Sequence, residues 1–465
     1  MSAKQSPRQP NAREVALLTL LEVEQEGAYA NLALKQAFSR YCLSEVDKRF
    51  TSEIVYGSLR MQAAVDHILT GLLNLPLAKL SPPIRYILRL SLYQLLYMER
   101  IPQAAVVHQG VELAKRYGHT GTVSLTNGVL RAFLRQDRTA LLPDESDPLA
   151  YVNVTLSYPK WLAGYLLDRW PTDDVIGFCR YLNQYQGLDA RANTLRISRA
   201  DLLRKLADIG MAVRPGAYAP ESLLVEEGGA HLPRLLTQGE FLIQGQASQL
   251  AAHALSPAPG SRVIDLCAAP GGKTTHLAQL MRDQGEILAV DLHPHRLRLL
   301  EENAERLGIS IITTMAADGR ELPAKWHGYA DYLLLDAPCS GLGVLGRRAD
   351  ARWRKQPSDI AEMAALSFEL LSAAAAYVKP GGYLCYTTCT VTEEENTGNI
   401  RRFLAARRDF CPAPMNNLAE LLPDERDKQA ALEGSLQLLP HRHGVEGFYF
   451  SLLKKLTISQ ENITI

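Results

Sequence analysis

Residues 265–273 read Asp265-Leu-Cys-Ala-Ala-Pro-Gly-Gly-Lys273, at the point where a short apolar run gives way to a helical pattern. The run, Arg262–Leu266, reads as a strand, so the nonapeptide is a strand-to-helix turn. Gly271 and Gly272 carry no Cβ, which lets backbone N–H groups come close to a ligand. A helix that begins near Lys273 turns its N-terminus toward that ligand and favours a carboxylate or another anion. Gly272-Lys273-Thr274 lacks the spacing Gly-x-x-x-x-Gly-Lys-Thr, which argues against a Walker nucleotide loop.

Downstream, short apolar runs at Glu286–Asp291, Ser310–Met315, Tyr332–Asp336 and Tyr383–Thr387 alternate with helical stretches, the longest near Ser358–Val378. Such alternation predicts a parallel, doubly wound α/β sheet with ligands at the carboxyl ends of its strands. Asp291 closes the second strand, where a carboxylate accepts hydrogen bonds from ribose hydroxyls. Asp318 follows the third and is placed to reach an adenine amino group. Asp336 closes the fourth. A Gly pair alone is as readily an ordinary turn; three aspartates at successive strand ends make it a cofactor site.

Seven cysteines are scattered along the chain with no Cys-x-x-Cys pair. That argues against a zinc site or a disulfide framework and for a reducing, cytoplasmic setting. Two of them stand at strand ends beside the cofactor loop: Cys339 in Asp336-Ala-Pro-Cys-Ser340 and Cys389 in Tyr386-Thr-Thr-Cys-Thr390. A thiolate at either place is a nucleophile. Cys42, Cys179, Cys385 and Cys411 are expected to be small buried hydrophobes, and Cys267 to pack under the cofactor loop.

Upstream of Gln246 the periodicity changes. From Asn11 to about Arg135 it is helical throughout. Ile84, Ile87, Leu88, Ser91, Leu92, Leu95 and Leu96 form one stripe, with Arg85, Arg89 and Gln94 elsewhere on the helix. Pro82-Pro83 opens that helix and Pro102 follows it. Residues 136–147 are polar and read as a linker. Helical segments near Trp161–Trp170 and Asp174–Asn183 follow. A strand at Arg191–Ile197, a capped helix start at Ser198 with Asp201, and strands near Met211–Arg214, Ser222–Val225 and Phe241–Gln244 make a small α+β unit.

The expected plan is therefore multidomain: a polar tail over 1–10, an all-α bundle over 11–137, a small α+β domain over 150–245 and a doubly wound α/β domain over 246–456. A length of 465 residues suits about three domains. Hydrophobic content of 47% and charged content of 22% are those of a globular protein. No apolar run is expected to approach the ~20 residues that span a bilayer, so no membrane partner is expected. A formal net charge of zero counts against a broadly basic nucleic-acid binder and makes any such contact local.

These motifs resemble the RsmB/Sun family of RNA 5-methylcytosine methyltransferases. The matching stretches are Asp265–Thr275, Asp336–Gly341, Thr388–Thr390 with Glu394–Asn396, Arg191–Arg196, Gln244–Leu250 and Gly447-Phe448-Tyr449. Several unlinked motifs in order, across about 150–456, make the resemblance specific. Residues 11–137 look like NusB through Gly27–Asn31, Asp47–Arg49 and Asn127–Arg131. Glu393 stands where many members carry Pro, and Val445-Glu446 where they carry Asp.

The resemblance implies a Rossmann-like class I methyltransferase domain, an RRM-like middle domain and S-adenosyl-L-methionine as cofactor. It implies that Cys267, Ala268, Ala269, Pro270, Gly271, Gly272, Lys273, Asp291, Asp318 and Asp336 bind that cofactor. It implies Cys389 as the thiolate that attacks cytosine carbon-6, and Cys339 as the thiol that assists proton removal and release. Asp336 then meets ring nitrogen-3, and Lys273 positions and polarises the site. Spacing cannot choose between two thiols, so Cys339 stays the alternative nucleophile. The NusB-like fusion implies small-subunit (16S) ribosomal RNA as substrate. The competing readings are the same chemistry on transfer RNA or another RNA, and a non-catalytic RNA-binding assembly factor. A monomer without a metal is expected.

Arg347, Arg348, Arg352, Arg354 and Lys355 surround Trp353 just after the Cys339 loop. Cations beside an aromatic suit phosphate contact and base stacking, which makes Arg347, Arg348 and Trp353 the candidate RNA contacts. The competing expectation is a solvated charged loop with Trp353 packed inward.

Overall fold

The computed structural model describes residues 9–137, 141–184, 187–229 and 232–457. Most of the expected polar tail and residues 138–140 of the linker lie outside them. Helices run over Ala12–Gln25, Ala30–Arg40, Glu45–Arg60, Gln62–Leu72, Pro82–Tyr97, Gln103–Tyr117 and Thr120–Leu134. Their starts have local causes. Asn11 Oδ1 accepts from the Glu14 N–H at 3.0 Å and Ser44 Oγ from the Asp47 N–H at 3.1 Å. Pro82 and Pro83 fill a first turn that needs no N–H donors.

Helix Pro82–Tyr97 is buried around most of its circumference rather than along one stripe, Arg89 and Gln94 included. Both polar side chains find partners there. Arg89 donates to the two carboxylate oxygens of Asp66 at 2.7 Å, and Gln94 Oε1 accepts from Arg13 Nε at 2.7 Å.

The chain divides into two units, residues up to 184 with 345–355, and residues 185–344 with the rest. In this division helices Lys160–Leu167 and Thr172–Asn183 group with the helical unit. Tyr158 shows why: its fully buried ring lies under the Arg352 guanidinium, 3.8 Å from the centroid.

In the second unit, β1 (Leu188–Ala192), β2 (Ala212–Pro215), β3 (Ser222–Glu227) and β4 (Phe241–Ile243) form an antiparallel sheet in the order β2-β3-β1-β4. β1 ends five residues before the expected Ile197. Asn193 turns the chain there, its Nδ2 donating to the Gly239 and Leu307 carbonyls at 2.8 Å. Ser198 caps helix Arg199–Asp208 through the Asp201 N–H, as its sequence predicts.

The large sheet holds β5 (Arg262–Leu266), β6 (Glu286–Asp291), β7 (Ile312–Ala316), β8 (Ala330–Asp336), β9 (Val378–Thr388), β10 (Phe410–Pro412), β11 (Ser435–Leu438) and β12 (Phe448–Lys455). Its order is β10-β12-β9-β8-β5-β6-β7, with β11 on β12. Strands β5 to β9 pair in parallel, whereas β12 runs antiparallel to β9, β10 and β11. The sheet is thus mixed, not purely parallel. Strand–helix alternation cannot reveal β12, because it returns from β11 without a crossover helix.

Successive β5 residues feed opposite cores. Val263 packs with helices Gln246–Leu255 and Gly272–Leu280, and Ile264 with helix Pro357–Tyr377. Helix Pro357–Tyr377 has the length and composition to cross a membrane, contrary to the expectation that no such run exists. Its apolar residues Leu370, Leu371, Ala374 and Ala375 are buried on the sheet. Of the cysteines expected to be buried, Cys179 and Cys385 are, Cys411 is half-buried and Cys42, just past the end of helix Ala30–Arg40, is exposed.

Candidate active site

Parallel registry brings the expected residues to one edge. Leu266 stands beside Leu335, and Asp336 beside Thr387, so β5, β8 and β9 end together. Beyond β5 the chain reverses through left-handed backbone at Cys267 (φ 63°) and Gly271 (φ 96°). A Cβ on Gly271 would lie 2.6 Å from Leu300 Cγ, so glycine is required there by both space and dihedral. Gly271 is the N-cap of helix Gly272–Leu280 and offers no side-chain cap, which leaves the helix N-terminus suited to an anionic group.

Asp291 braces this loop: its Oδ2 accepts from the Ala269 N–H at 3.2 Å and its Oδ1 from the His293 N–H at 3.0 Å. Asp265 lies underneath, wholly buried. Its Oδ2 accepts from Thr274 Oγ1 at 2.7 Å, and its Oδ1 has no hydrogen-bond partner among the described residues. Cys267 is half-buried against the sheet core, and burial pushes its thiol up to about 12. Asp318 binds Arg320 through Oδ2 at 2.7 Å, and these hydrogen bonds hold its carboxyl below the ordinary value.

Lys273 Nζ lies 2.6 Å from Asp336 Oδ2, and Thr387 Oγ1 donates to Asp336 Oδ1 at 3.0 Å. Burial opposes the ammonium charge, but Asp336 and then Cys389 outweigh it and raise the lysine above its ordinary value. The ammonium also sits 5.0 Å from the centroid of the Phe448 ring. Beside this pair, Cys339 Sγ and Cys389 Sγ are 3.3 Å apart. The Cys339 thiol is pushed well up by its hydrogen bond to Cys389, then by burial, then by the charges of Cys389, Glu395 and Asp336. Two sulfurs in contact thus stand beside an ammonium–carboxylate pair, an arrangement able to supply a nucleophile and a second sulfur for proton transfer.

Relatives match this chain over nearly its whole length. The probable ribosomal RNA small subunit methyltransferase B of Bacillus subtilis (strain 168) is 36% identical over 449 residues, covering 96% of this chain and 99% of its own. The ribosomal RNA small subunit methyltransferase B of Salmonella paratyphi C is 32% identical, covering 96% and 100%. The chain belongs to the RsmB/F family of 16S rRNA methyltransferases. Residues 252–454 match that family, 10–135 the NusB family and 158–230 the ferredoxin-like domain of RsmF/B-like methyltransferases. The crystal structure of PH0851 is 28% identical, superposes with a TM-score of 0.80 and covers 97% of this chain and 100% of its own. NSun6 from Pyrococcus horikoshii, solved with SFG, is 25% identical with a TM-score of 0.56, covering 65% of this chain.

Two supports of this RsmB/F-family site carry no chemical signature of their own in the sequence. Glu395, wholly buried, accepts from the Ser340 N–H, Ser340 Oγ and Thr392 Oγ1, each at 2.6 Å. Arg191 of β1, also wholly buried, donates to Gln279 Oε1 at 2.8 Å, the Gly272 carbonyl at 2.6 Å, Thr275 Oγ1 at 3.0 Å and Gln244 Oε1. It thereby clamps the first turn of the cofactor-loop helix. The matching stretches Arg191–Arg196 and Gln244–Leu250 are the sequence signal that could have found it.

The basic cluster around Trp353 divides. Arg347 and Arg348 are exposed. Arg352 is fully buried and donates to the Ser157 carbonyl at 2.9 Å and Tyr158 Oη at 3.0 Å. Trp353 is half-buried with its Nε1–H given to the Leu59 carbonyl at 2.6 Å, and Arg354 binds the Gly27 carbonyl at 2.6 Å. Arg352, Trp353 and Arg354 thus pack their own unit.

Proposed function

We propose that the protein methylates carbon-5 of a cytidine in small-subunit ribosomal RNA through a covalent adduct with Cys389. The observation that carries this reading is the 3.3 Å pair of sulfurs beside the Lys273–Asp336 ion pair. Family membership supports the substrate class, and the NSun6 relative holds a S-adenosylmethionine analogue. The residues fit such a donor: an uncapped helix N-terminus for its carboxylate, Asp291 at the β6 end for its ribose and Asp318 after β7 for its adenine. Cys267 to Lys273 would wrap it. When bound, S-adenosylmethionine supplies the electrophilic methyl group.

The rest of the chemistry belongs to this chain's side chains. Cytosine carbon-5 is a poor nucleophile until a thiolate adds to carbon-6 and pushes electron density onto it. Cys389 is that thiolate, on the resemblance of Thr388–Thr390 with Glu394–Asn396 to the family's second-cysteine motif, and the Lys273 ammonium beside it supports the charge. Asp336 meets the base at nitrogen-3, and Lys273 holds Asp336 and the developing charge in place. After methylation, the carbon-5 proton passes through Cys339 to solvent, the sulfur accepting it as its own proton leaves to water, and the carbon-5–hydrogen electron pair re-forms the carbon-5–carbon-6 double bond. As it does so, the carbon-6–sulfur bond breaks and Cys389 leaves as a thiolate. The target base must be unstacked for this attack, and exposed Arg347 and Arg348 supply phosphate contacts for the strand that carries it. The NusB-like residues add further RNA contact.

The test is a bisulfite map of 16S rRNA from cells with and without the protein, with in-vitro turnover by two variants. One 5-methylcytidine should vanish from the map. Cys389→Ala should abolish both turnover and covalent RNA capture, whereas Cys339→Ala should stop turnover and accumulate the protein–RNA adduct. A map that loses no 5-methylcytidine discards the substrate, and the reverse adduct pattern reassigns the nucleophile to Cys339.

A further inference from the structure

We infer that Glu395 is a positioning residue that locks the Cys339 loop onto the Cys389 loop and so assigns the two thiols their separate roles. The inference deepens the proposed function and rests on it for its kinetic consequences. The geometry is a single buried carboxylate joining two loops. From the Cys339 side it accepts the Ser340 N–H at Oε1 and Ser340 Oγ at Oε2. From the Cys389 side it accepts Thr392 Oγ1 at Oε2. Ser340 Oγ and Thr390 Oγ1, each next in sequence to a thiol, lie 2.7 Å apart and close the same network. Tyr386 of β9 donates its hydroxyl to the Glu395 carbonyl at 2.6 Å, which fixes the backbone that carries the carboxylate.

A carboxylate is the suitable group for this place. It has only acceptor oxygens, and three donors converge on it; a glutamine amide would turn an N–H₂ toward a donor. It also brings a full negative charge near Cys339, one of the influences that keep that thiol protonated. The titratable groups facing Cys339 are Cys389, Glu395, Asp336 and Tyr386, with Lys273 beyond Asp336. Among these, Glu395 is the carboxylate bonded to both thiol loops. Asp336 is held instead by Lys273 and Thr387.

The experiment compares the full-length protein with Glu395→Gln, Glu395→Asp and Ser340→Ala. It measures kcat, KM for RNA, the pH profile and thermal melting. It also follows alkylation of Cys339 and Cys389 by iodoacetamide against pH, read by peptide mass spectrometry. Glu395→Gln should lower kcat about 100-fold with little change in KM, the cost of misplacing a reacting group by about 1 Å. Its alkaline limb and its Cys339 alkylation should both move about one pH unit lower as the nearby charge is lost. Glu395→Asp should keep the limb in place and lose kcat only through the shorter reach. Ser340→Ala should keep the limb and lose about tenfold, one hydrogen bond's share.

Wild-type kcat in all three variants overturns the inference. So does an activity loss that tracks melting temperature while the limb and alkylation profile stay put. Should Glu395→Gln not fold, unchanged kcat in the other two variants overturns it equally. If the wild type shows no methylation yet Cys339 alkylation shifts in Glu395→Gln, the proposed function fails and the thiol positioning stands.

Discussion

Asp265 is the penultimate residue of β5, with its carboxyl out of reach of water. Burial is the largest cause that pushes it from the ordinary 3.8 up to about 7, against the Thr274 hydrogen bond that lowers it. Between about pH 4 and 7 the folded chain therefore keeps a proton that the unfolded chain has released. Stability from this group is complete below the unfolded value and is lost as pH rises through about 7. The full span is worth about 4 kcal/mol at 1.36 kcal/mol per pH unit. Asp265→Asn keeps the shape and removes the titration. Thermal melts of the cofactor-free protein at pH 4, 5.5 and 7 should show wild type losing ground to the variant as pH rises. A gap that stays constant with pH would discard this account. The thiols make the other argument at this scale. Nothing in the spelling of Asp336-Ala-Pro-Cys339 or Thr388-Cys389 ranks one sulfur above the other. Their surroundings differ: Cys389 helps raise the Lys273 ammonium, while Cys339 is raised by its hydrogen bond to Cys389, then by burial, then by the charges of Cys389, Glu395 and Asp336.

At the scale of elements, helix Gly272–Leu280 depends on a side chain from a different sheet. Arg191 gives its guanidinium to Gln279, Gln244, Thr275 and the Gly272 carbonyl with no exposure to solvent. Burial lowers it to about 9, yet it remains a cation at neutral pH. Arg191→Met removes the charge and strands several buried acceptors. It should cost about 3 kcal/mol in a urea titration, as deletion of one partner from a buried network does. Binding of S-adenosylmethionine, measured by calorimetry, should weaken with it. Unchanged donor affinity in a folded variant would show that the clamp serves stability alone. Strands β5 and β6 and helix Pro357–Tyr377 were legible because period and punctuation suffice for a parallel unit. β12 was not, since it fills the sheet edge beside β9 as an antiparallel strand, a placement that strand–helix alternation does not signal.

For the molecule as a whole, a net charge of zero means that RNA affinity must come from local cations. Arg347 and Arg348 remain exposed in the basic cluster, while Arg352, Trp353 and Arg354 are spent on packing. Replacing both exposed arginines by Ala should weaken RNA binding and reduce the slope of log K against log salt by about one to two. Trp353→Ala should instead lower the melting temperature and leave that slope alone. An unchanged slope in the double arginine variant would remove the pair from the interface. The division between sequence and structure follows the range of the forces involved. Sequence alone determined the domain types, the cofactor loop, the strand-end aspartates and the pair of cysteines, because each rests on local periodicity, glycine placement or a short motif. Only the tertiary structure decided which basic side chains pack inside the fold, that Glu395 joins the two cysteine loops and Arg191 braces the cofactor-loop helix, and that the two sulfurs meet. Those outcomes depend on burial and on charges brought within a few ångströms from distant parts of the chain, and no local pattern encodes either.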